Sequence, residues 1–169
     1  AVPTVFHEEA ALALAEAGVH TLVEKPLAAS VEAGQRVAEA FKSAGLVGAV
    51  GYVERCNPAL LEMRKRLAEG QLGDVYQVVT RRQSPFPARI SDVGVVKDLA
   101  THDVDLAAWV AGSEYKEIYA QTAHRSGREH EDMVVASGSF KNGVLVNHLV
   151  NWLTPFKDRT TIVTGEHGA

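Results

Sequence analysis

Residues 19–26 read Val19-His20-Thr21-Leu22-Val23-Glu24-Lys25-Pro26, a short apolar run that ends in charge and a proline. Upstream, His7 to Ala17 is rich in Ala and Leu and carries Glu8 and Glu9 in its first turn, where acidic side chains favour the positive end of a helix. Gly18 stands where that helix would close. Downstream, Ser30 and Glu32 open a second helix reaching about Ala44, Gly45 ends it, and Leu46 to Val50 is another short apolar run. Helix–strand–helix–strand with strands apolar throughout predicts a parallel sheet covered on both faces, the C-terminal part of a doubly wound α/β domain.

After Gly51 the pattern changes. A helix is expected from about Pro58 to Glu69, then an alternating half-buried strand over Asp74–Arg82, an irregular stretch from Gln83 to Val95, and a helix over about Lys97–Ala111. Strand-like runs follow at Tyr115–Ala123, Met133–Phe140 and Val144–Trp152, the last two joined by Asn142-Gly143, a strong hairpin signal. Thr160–Thr164 reads as a fourth strand. The whole is α/β plus α+β: a partial parallel sheet in residues 1–52, then an α+β domain with a mostly antiparallel sheet in residues 53–169. The chain opens on Ala1-Val2-Pro3-Thr4 without Met and stops at Ala169 just after a β-like run, so it reads as part of a longer polypeptide.

Composition narrows the function. In 169 residues, 46% are hydrophobic and 22% charged, the balance of an ordinary globular chain, and the net charge of −4 comes without a long run of one sign. A nucleic-acid partner is therefore not expected, nor is a membrane one, since no apolar stretch is long enough to span a bilayer. The single cysteine, Cys56, excludes an intrachain disulfide and fits a reducing cytoplasm.

Chemistry-bearing residues gather in a few places. Lys25 ends a parallel strand, the sheet edge at which open α/β folds bind ligands, although a charged strand end facing water has the same sequence. Asp98 and His102 stand four apart on one helix face, and Asp105 and Trp109 continue the line. An imidazole moves protons near neutral pH and a carboxylate one turn away can orient it; the same spacing also serves an ordinary ion pair. With no third ligand at recognisable spacing, a metal site is not expected. Arg55 and Asn57 follow the crossover between the two parts. Arg82 and Arg89 flank the irregular segment with charge suited to an anionic substrate, or simply to solvent. Asn151 and Trp152 close a polar-aromatic strand end that can line a pocket. No G-x-G-x-x-G turn, the usual phosphate cradle, occurs in the sequence.

Taken in order, these pieces resemble the Gfo/Idh/MocA family of nicotinamide-dependent sugar oxidoreductases. Val2-Pro3-Thr4-Val5-Phe6-His7 is similar to the family's cofactor-side loop, Glu24-Lys25-Pro26 to its lysine motif, Gly51 to Pro58 to its interdomain crossover, and Asp98 to Asp105 to its catalytic helix. Within the family, Ser84 to Asp98, Glu129-His130-Glu131-Asp132 and Asn151 to Pro155 resemble UDP-N-acetylglucosamine 3-dehydrogenases, which oxidise the sugar 3-hydroxyl with NAD. The resemblance implies a Rossmann-type first domain, NAD or NADP as cofactor, and a sugar or UDP-sugar substrate. It also implies a homo-oligomer built through the C-terminal sheet.

The resemblance assigns catalysis to Lys25, Asp98 and His102, with His102 as base, Asp98 as its orienter or a substrate ligand, and Lys25 bonding the reacting oxygen and the nicotinamide ribose. The roles of Lys25 and His102 are interchangeable at this level. Pro3, His7, Glu24, Lys25 and Pro26 stand on the cofactor side, and Arg55, Asn57, Arg82, Arg89, Asn151 and Trp152 on the substrate side. This reading requires Lys25 and His102 to converge on one hollow. Without a glycine-rich turn, the chain alone is expected to bind NAD weakly or not at all. The alternatives are a non-catalytic fragment that self-associates through its sheet face and an NAD-dependent glycosidase on the same scaffold.

Overall fold

The structure is a computed structural model describing every residue except Ala1, Arg89, Ser91 and Asp92. The chain divides into two units, Ala1–Val53 and Glu54–Ala169.

In the first unit, a 3-10 turn at Thr4–Phe6 leads into α1 (His7–Glu16). Helix α2 (Val31–Ser43) starts where Ser30 Oγ accepts a hydrogen bond from Ala33 N at 3.2 Å, the capping role expected of that serine. Between and after these helices run β1 (Thr21–Val23) and β2 (Gly48–Val50), paired in parallel with Val23 opposite Val50. Ala11 and Ala15 of α1, Val37 and Phe41 of α2, and Val23 of β1 share one small core. Successive strand side chains alternate faces, so Leu22 points away from that core and is 65% exposed. Among the described residues of this unit, both helices pack on the same face of the parallel pair.

A 3-10 turn, Val53–Cys56, straddles the boundary, and the second unit continues into α3 (Pro58–Ala68). Proline at the first helical position costs no hydrogen bond, and Asn57 Oδ1 accepts from Ala59 N at 3.0 Å to cap the helix. After β3 (Val75–Pro85), a π-helical turn at Val96–Ala100 runs into α4 (Thr101–Ala111), which Gly112 ends in the left-handed conformation. Four strands follow: β4 (Tyr115–Ala123), β5 (Met133–Phe140), β6 (Leu145–Asn151) and β7 (Leu153–Gly165). The sheet order is β4-β5-β6-β3-β7, with β3 parallel to β6 and every other neighbour antiparallel. Leu60 of α3 and Leu106, Ala107 and Val110 of α4 pack on Val78, Phe140, Val146 and Val163 of this sheet. The opposite sheet face carries no helix among the described residues.

Several element boundaries differ from the sequence reading. The expected strand at 160–164 is the end of a strand that starts at Leu153, and β3 reaches Pro85 rather than stopping at Arg82. Residues 153–159 have no apolar alternation and include Pro155. Backbone pairing with β3 holds Leu153, Asp158 and Arg159, and Thr154 to Lys157 fall within the irregularity between Gln83↔Asp158 and Pro85↔Leu153, the kind of place a strand proline tolerates. The helix expected from Lys97 opens instead with the π turn at Val96. Among the described residues, no helix is long and apolar enough to cross a membrane.

Candidate active site

In the first unit, Glu24, Lys25 and Pro26 follow β1 directly, at the carboxyl edge of the parallel pair, and the Lys25–Pro26 peptide bond is cis. Glu24 packs on Gly51, just beyond β2, where a Cβ would lie 3.0 Å from Glu24 Oε2; glycine is what lets the two strand ends approach. His7 is buried, with Nδ1 2.8 Å from the Pro26 carbonyl and Nε2 3.1 Å from the Val2 carbonyl. It thus ties the segment before α1 to the loop after β1. Pro3 precedes the 3-10 turn, its carbonyl accepting from Phe6 N at 2.9 Å. Pro3, His7, Glu24, Lys25 and Pro26 therefore lie along two adjoining loops, with His7 shaping them from the inside.

In the second unit, Asp98 lies in the π turn and His102 in the first turn of α4, on one continuous helical path. A short π-helical insertion of this kind is frequent at functional sites. The helix N-terminus is capped from a distant loop. Val95 N donates to the Glu131 carbonyl at 2.9 Å and Val96 N donates to Glu131 Oε1 at 3.1 Å. That loop is itself fixed by Asp132, fully buried, whose carboxylate accepts from Arg125 N, Ser126 N and Ser126 Oγ at 2.6–3.0 Å. Burial pushes the Asp132 carboxyl up, but these hydrogen bonds outweigh it and hold it below the usual carboxylate value.

Behind α4, Arg82 is only 5% exposed: Nε donates to Asp103 Oδ1 at 2.7 Å and Nη1 to Glu54 Oε1 at 2.9 Å. Burial works against the guanidinium charge, while Asp103 and Glu54 more than restore it; burial raises the Asp103 carboxyl and Arg82 opposes that rise. Beside this group, His148 Nδ1 lies 2.7 Å from Thr80 Oγ1 and Nε2 lies 2.9 Å from the Tyr115 hydroxyl. Burial lowers the His148 pKa to about 4, so the ring is neutral at pH 7 and bonds one neighbour as donor and the other as acceptor. A cavity of about 270 Å³ adjoins Glu54, Arg82, Asp103 and Arg159.

The residues expected on the substrate side have other employment here. Arg55 donates to both carboxylate oxygens of Asp105, at 2.8 and 2.6 Å. Asn57 caps α3. Arg82 is a buried ion-pair centre, and two carboxylates occupy the fork that a phosphate would need. Asn151 is buried, its side-chain oxygen accepting from Leu153 N at 3.0 Å. Trp152 is a core residue, 4% exposed and edge-on to Phe86 with ring centres 5.2 Å apart. Arg89 lies outside the described residues. These contacts have a common physical source: a polar side chain beside a helix start, a sheet interior or a strand end takes up a backbone amide or a neighbouring charge.

Four residues to which the sequence reading gave no site role, Glu54, Asp103, Glu131 and His148, hold the surroundings of this helix together. Asp103 had a readable signal, because Leu99, Asp103, Leu106 and Val110 follow the spacing of a buried helix stripe, and a carboxylate within such a stripe calls for a buried cation. Arg82 had one too, sharing the inward face of β3 with Val78 and Thr80.

The chain thus joins a parallel strand pair with its two helices to an α+β unit whose sheet is backed by two helices. Comparison with protein families agrees in both parts. Residues 1–52 match the oxidoreductase family's NAD-binding Rossmann fold, and residues 60–169 match the GFO/IDH/MocA C-terminal domain. The chain belongs to the Gfo/Idh/MocA family of NAD-binding oxidoreductases.

Among relatives, it is 36% identical over 146 residues to inositol 2-dehydrogenase 2 of Saccharopolyspora erythraea, covering 83% of this chain and 43% of that one. It is 30% identical over 145 residues to the UDP-N-acetylglucosamine 3-dehydrogenase of Acidithiobacillus ferrooxidans, covering 86% and 45%. Of solved structures, the WlbA dehydrogenase from Bordetella pertussis, in complex with NADH and UDP-GlcNAcA, superposes with a TM-score of 0.89 at 29% identity, covering 98% of this chain and 52% of that one. The chain thus spans about half the length, or less, of the relatives it matches.

Proposed function

We propose that this chain contributes the proton-handling side chains of an NAD(P)-dependent dehydrogenase that oxidises a secondary hydroxyl on a cyclic polyol or sugar. The observation that carries the reading is the pair Asp98 and His102 on a helix gripped at its start by Glu131 and from behind by Arg82. Fixed placement is what a general base requires, since its imidazole must meet one hydroxyl in one orientation.

The cofactor site fits in part. Lys25 and Glu24 stand at the carboxyl edge of the parallel pair, where a nicotinamide ribose would be held, and the chain has no glycine-rich turn for the pyrophosphate. When bound, the nicotinamide supplies the hydride acceptor; the side chains supply position and a proton path. His102 takes the hydroxyl proton as the carbon–hydrogen bond is broken. Asp98 orients the imidazole or accepts from a neighbouring substrate hydroxyl. Lys25, at the carboxyl edge of the parallel pair, bonds the nicotinamide ribose.

For the substrate, a cyclic polyol such as an inositol is the first choice and UDP-N-acetylglucosamine the second. Relatives of both kinds match, and Arg55 and Arg82, which a diphosphate would use, are ion-paired within the fold. Incubating the intact protein with NAD+ or NADP+ and each substrate in turn, and following NADH or NADPH appearance, tests this. Neither substrate class giving reduced cofactor would sink it, and release of a hydrolysed sugar without net NADH would point instead to glycosidase chemistry.

A second reading, self-association, has its own observation. The helix-free sheet face exposes Tyr119, Val135, Leu145 and Ile162, with Gln77 Nε2 donating to Asn147 Oδ1 and Asn147 Nδ2 donating to Ser137 Oγ, each at 2.8 Å. An apolar surface with its polar groups already satisfied suits a flat interface between two copies.

A further inference from the structure

We propose that Glu131 is a positioning residue for Asp98; the inference rests on the oxidoreductase reading above and assigns to it a residue outside the lysine, aspartate and histidine set. The helix that carries Asp98 starts without a side-chain cap of its own. Its first free amides, Val95 N and Val96 N, are both taken by Glu131, the first by its carbonyl and the second by its carboxylate. A carboxylate at that end also offsets the positive end of the helix dipole.

Two further features fix Glu131 itself. Gly94 is packed against its carboxylate so closely that a Cβ on Gly94 would collide with it. The adjacent Asp132 pins the loop through its bonds to Arg125 and Ser126, and the Asp132 carbonyl accepts from Trp152 N at 2.9 Å. On the helix side, Val95 is fully buried among Ala100, Val134, Val150 and Trp152, and Asp98 N donates to the Gly94 carbonyl at 3.1 Å. The π turn is therefore held at Gly94, Val95 and Val96, and Asp98 follows two residues later with little freedom left. An exposed surface cap would need none of this closeness. Glu131 reaches the helix start across 35 residues of sequence and sets the origin from which Asp98 projects.

The test compares Glu131→Ala and Glu131→Gln in the intact protein, labelled for NMR and assayed for turnover. In Glu131→Ala, the Val96 amide should lose hydrogen-exchange protection, the Asp98 side-chain carboxyl resonance should move, and kcat should fall by about a hundredfold, as for a catalytic group displaced by an ångström, with KM nearly unchanged. Glu131→Gln, whose amide oxygen still accepts from Val96 N, should recover most of kcat. Gly94→Ala, which keeps the carboxylate but crowds it away, should behave like Glu131→Ala. A melting-temperature drop with the Asp98 resonance and kcat unmoved overturns the proposal, as does failure of Glu131→Gln to rescue. If the wild-type protein reduces no cofactor at all, the dehydrogenase reading fails on that result alone, while the Val96 and Asp98 signals still decide what Glu131 does.

Discussion

Arg82 Nε stands 2.7 Å from Asp103 Oδ1, with the two side chains 5% and 3% exposed. This ion pair joins the middle of β3 to the inward face of α4, next in sequence to His102. Glu54 takes a second arm of the same guanidinium, so three elements meet at one buried cation.

Removing that cation leaves two carboxylates in the interior. Arg82→Met should therefore destabilise the fold by about 3–5 kcal/mol, as when one partner of a buried pair is deleted. Replacing both partners, as in Arg82→Met with Asp103→Leu, should cost less than the single change. Urea denaturation of the two variants measures this, and a double variant weaker than the single would contradict it.

His148 makes stability depend on pH. Its folded pKa, about 4, lies below the unfolded value near 6.5, so the unfolded chain binds a proton that the folded chain refuses. Stability should be full above about pH 6.5 and fall as the pH drops toward 4, by on the order of 3 kcal/mol. His148→Gln, which keeps hydrogen-bonding groups but does not titrate, should flatten that part of the curve. Thermal melts of both forms between those limits would show it.

For the proposed reaction, His102→Ala should lower kcat by roughly two to four orders of magnitude, the usual contribution of a general base. Lys25→Ala should also lower it strongly. Steady-state kinetics in the intact protein decides, and unchanged turnover in both variants removes the assignment.

The 169-residue chain by itself should bind NADH weakly or not at all, because it lacks a glycine-rich turn to cradle the pyrophosphate. Fluorescence titration is the direct measurement, and micromolar affinity would be the contrary result.

If two copies meet through the helix-free sheet face, Val135→Lys should shift the protein toward monomer without unfolding it, since the side chain is exposed in the single chain. Sedimentation velocity of wild type and variant gives the answer; identical distributions would discard that interface.

The sequence alone determined the order and type of the elements. Apolar periodicity, Ser30, Gly18, Gly45 and Asn142-Gly143 are local signals, and each acts within one turn or one hairpin. It also located Lys25 at a strand end and Asp98 with His102 on a helix, because those positions follow from the same local rules. What only the tertiary structure decided was the employment of polar side chains. Arg55, Asn57, Arg82 and Asn151 look like ligand groups in one dimension, yet each is claimed by a partner that folding brings to it or by a neighbouring amide. Leu153, Asp158 and Arg159 pair where β3 offered an edge, not through any pattern of their own. Glu131 meets Val96 only after the sheet has folded the intervening chain back on itself. Local propensity is carried by neighbouring residues, whereas desolvated charges and uncapped amides take their partners from wherever the fold supplies them.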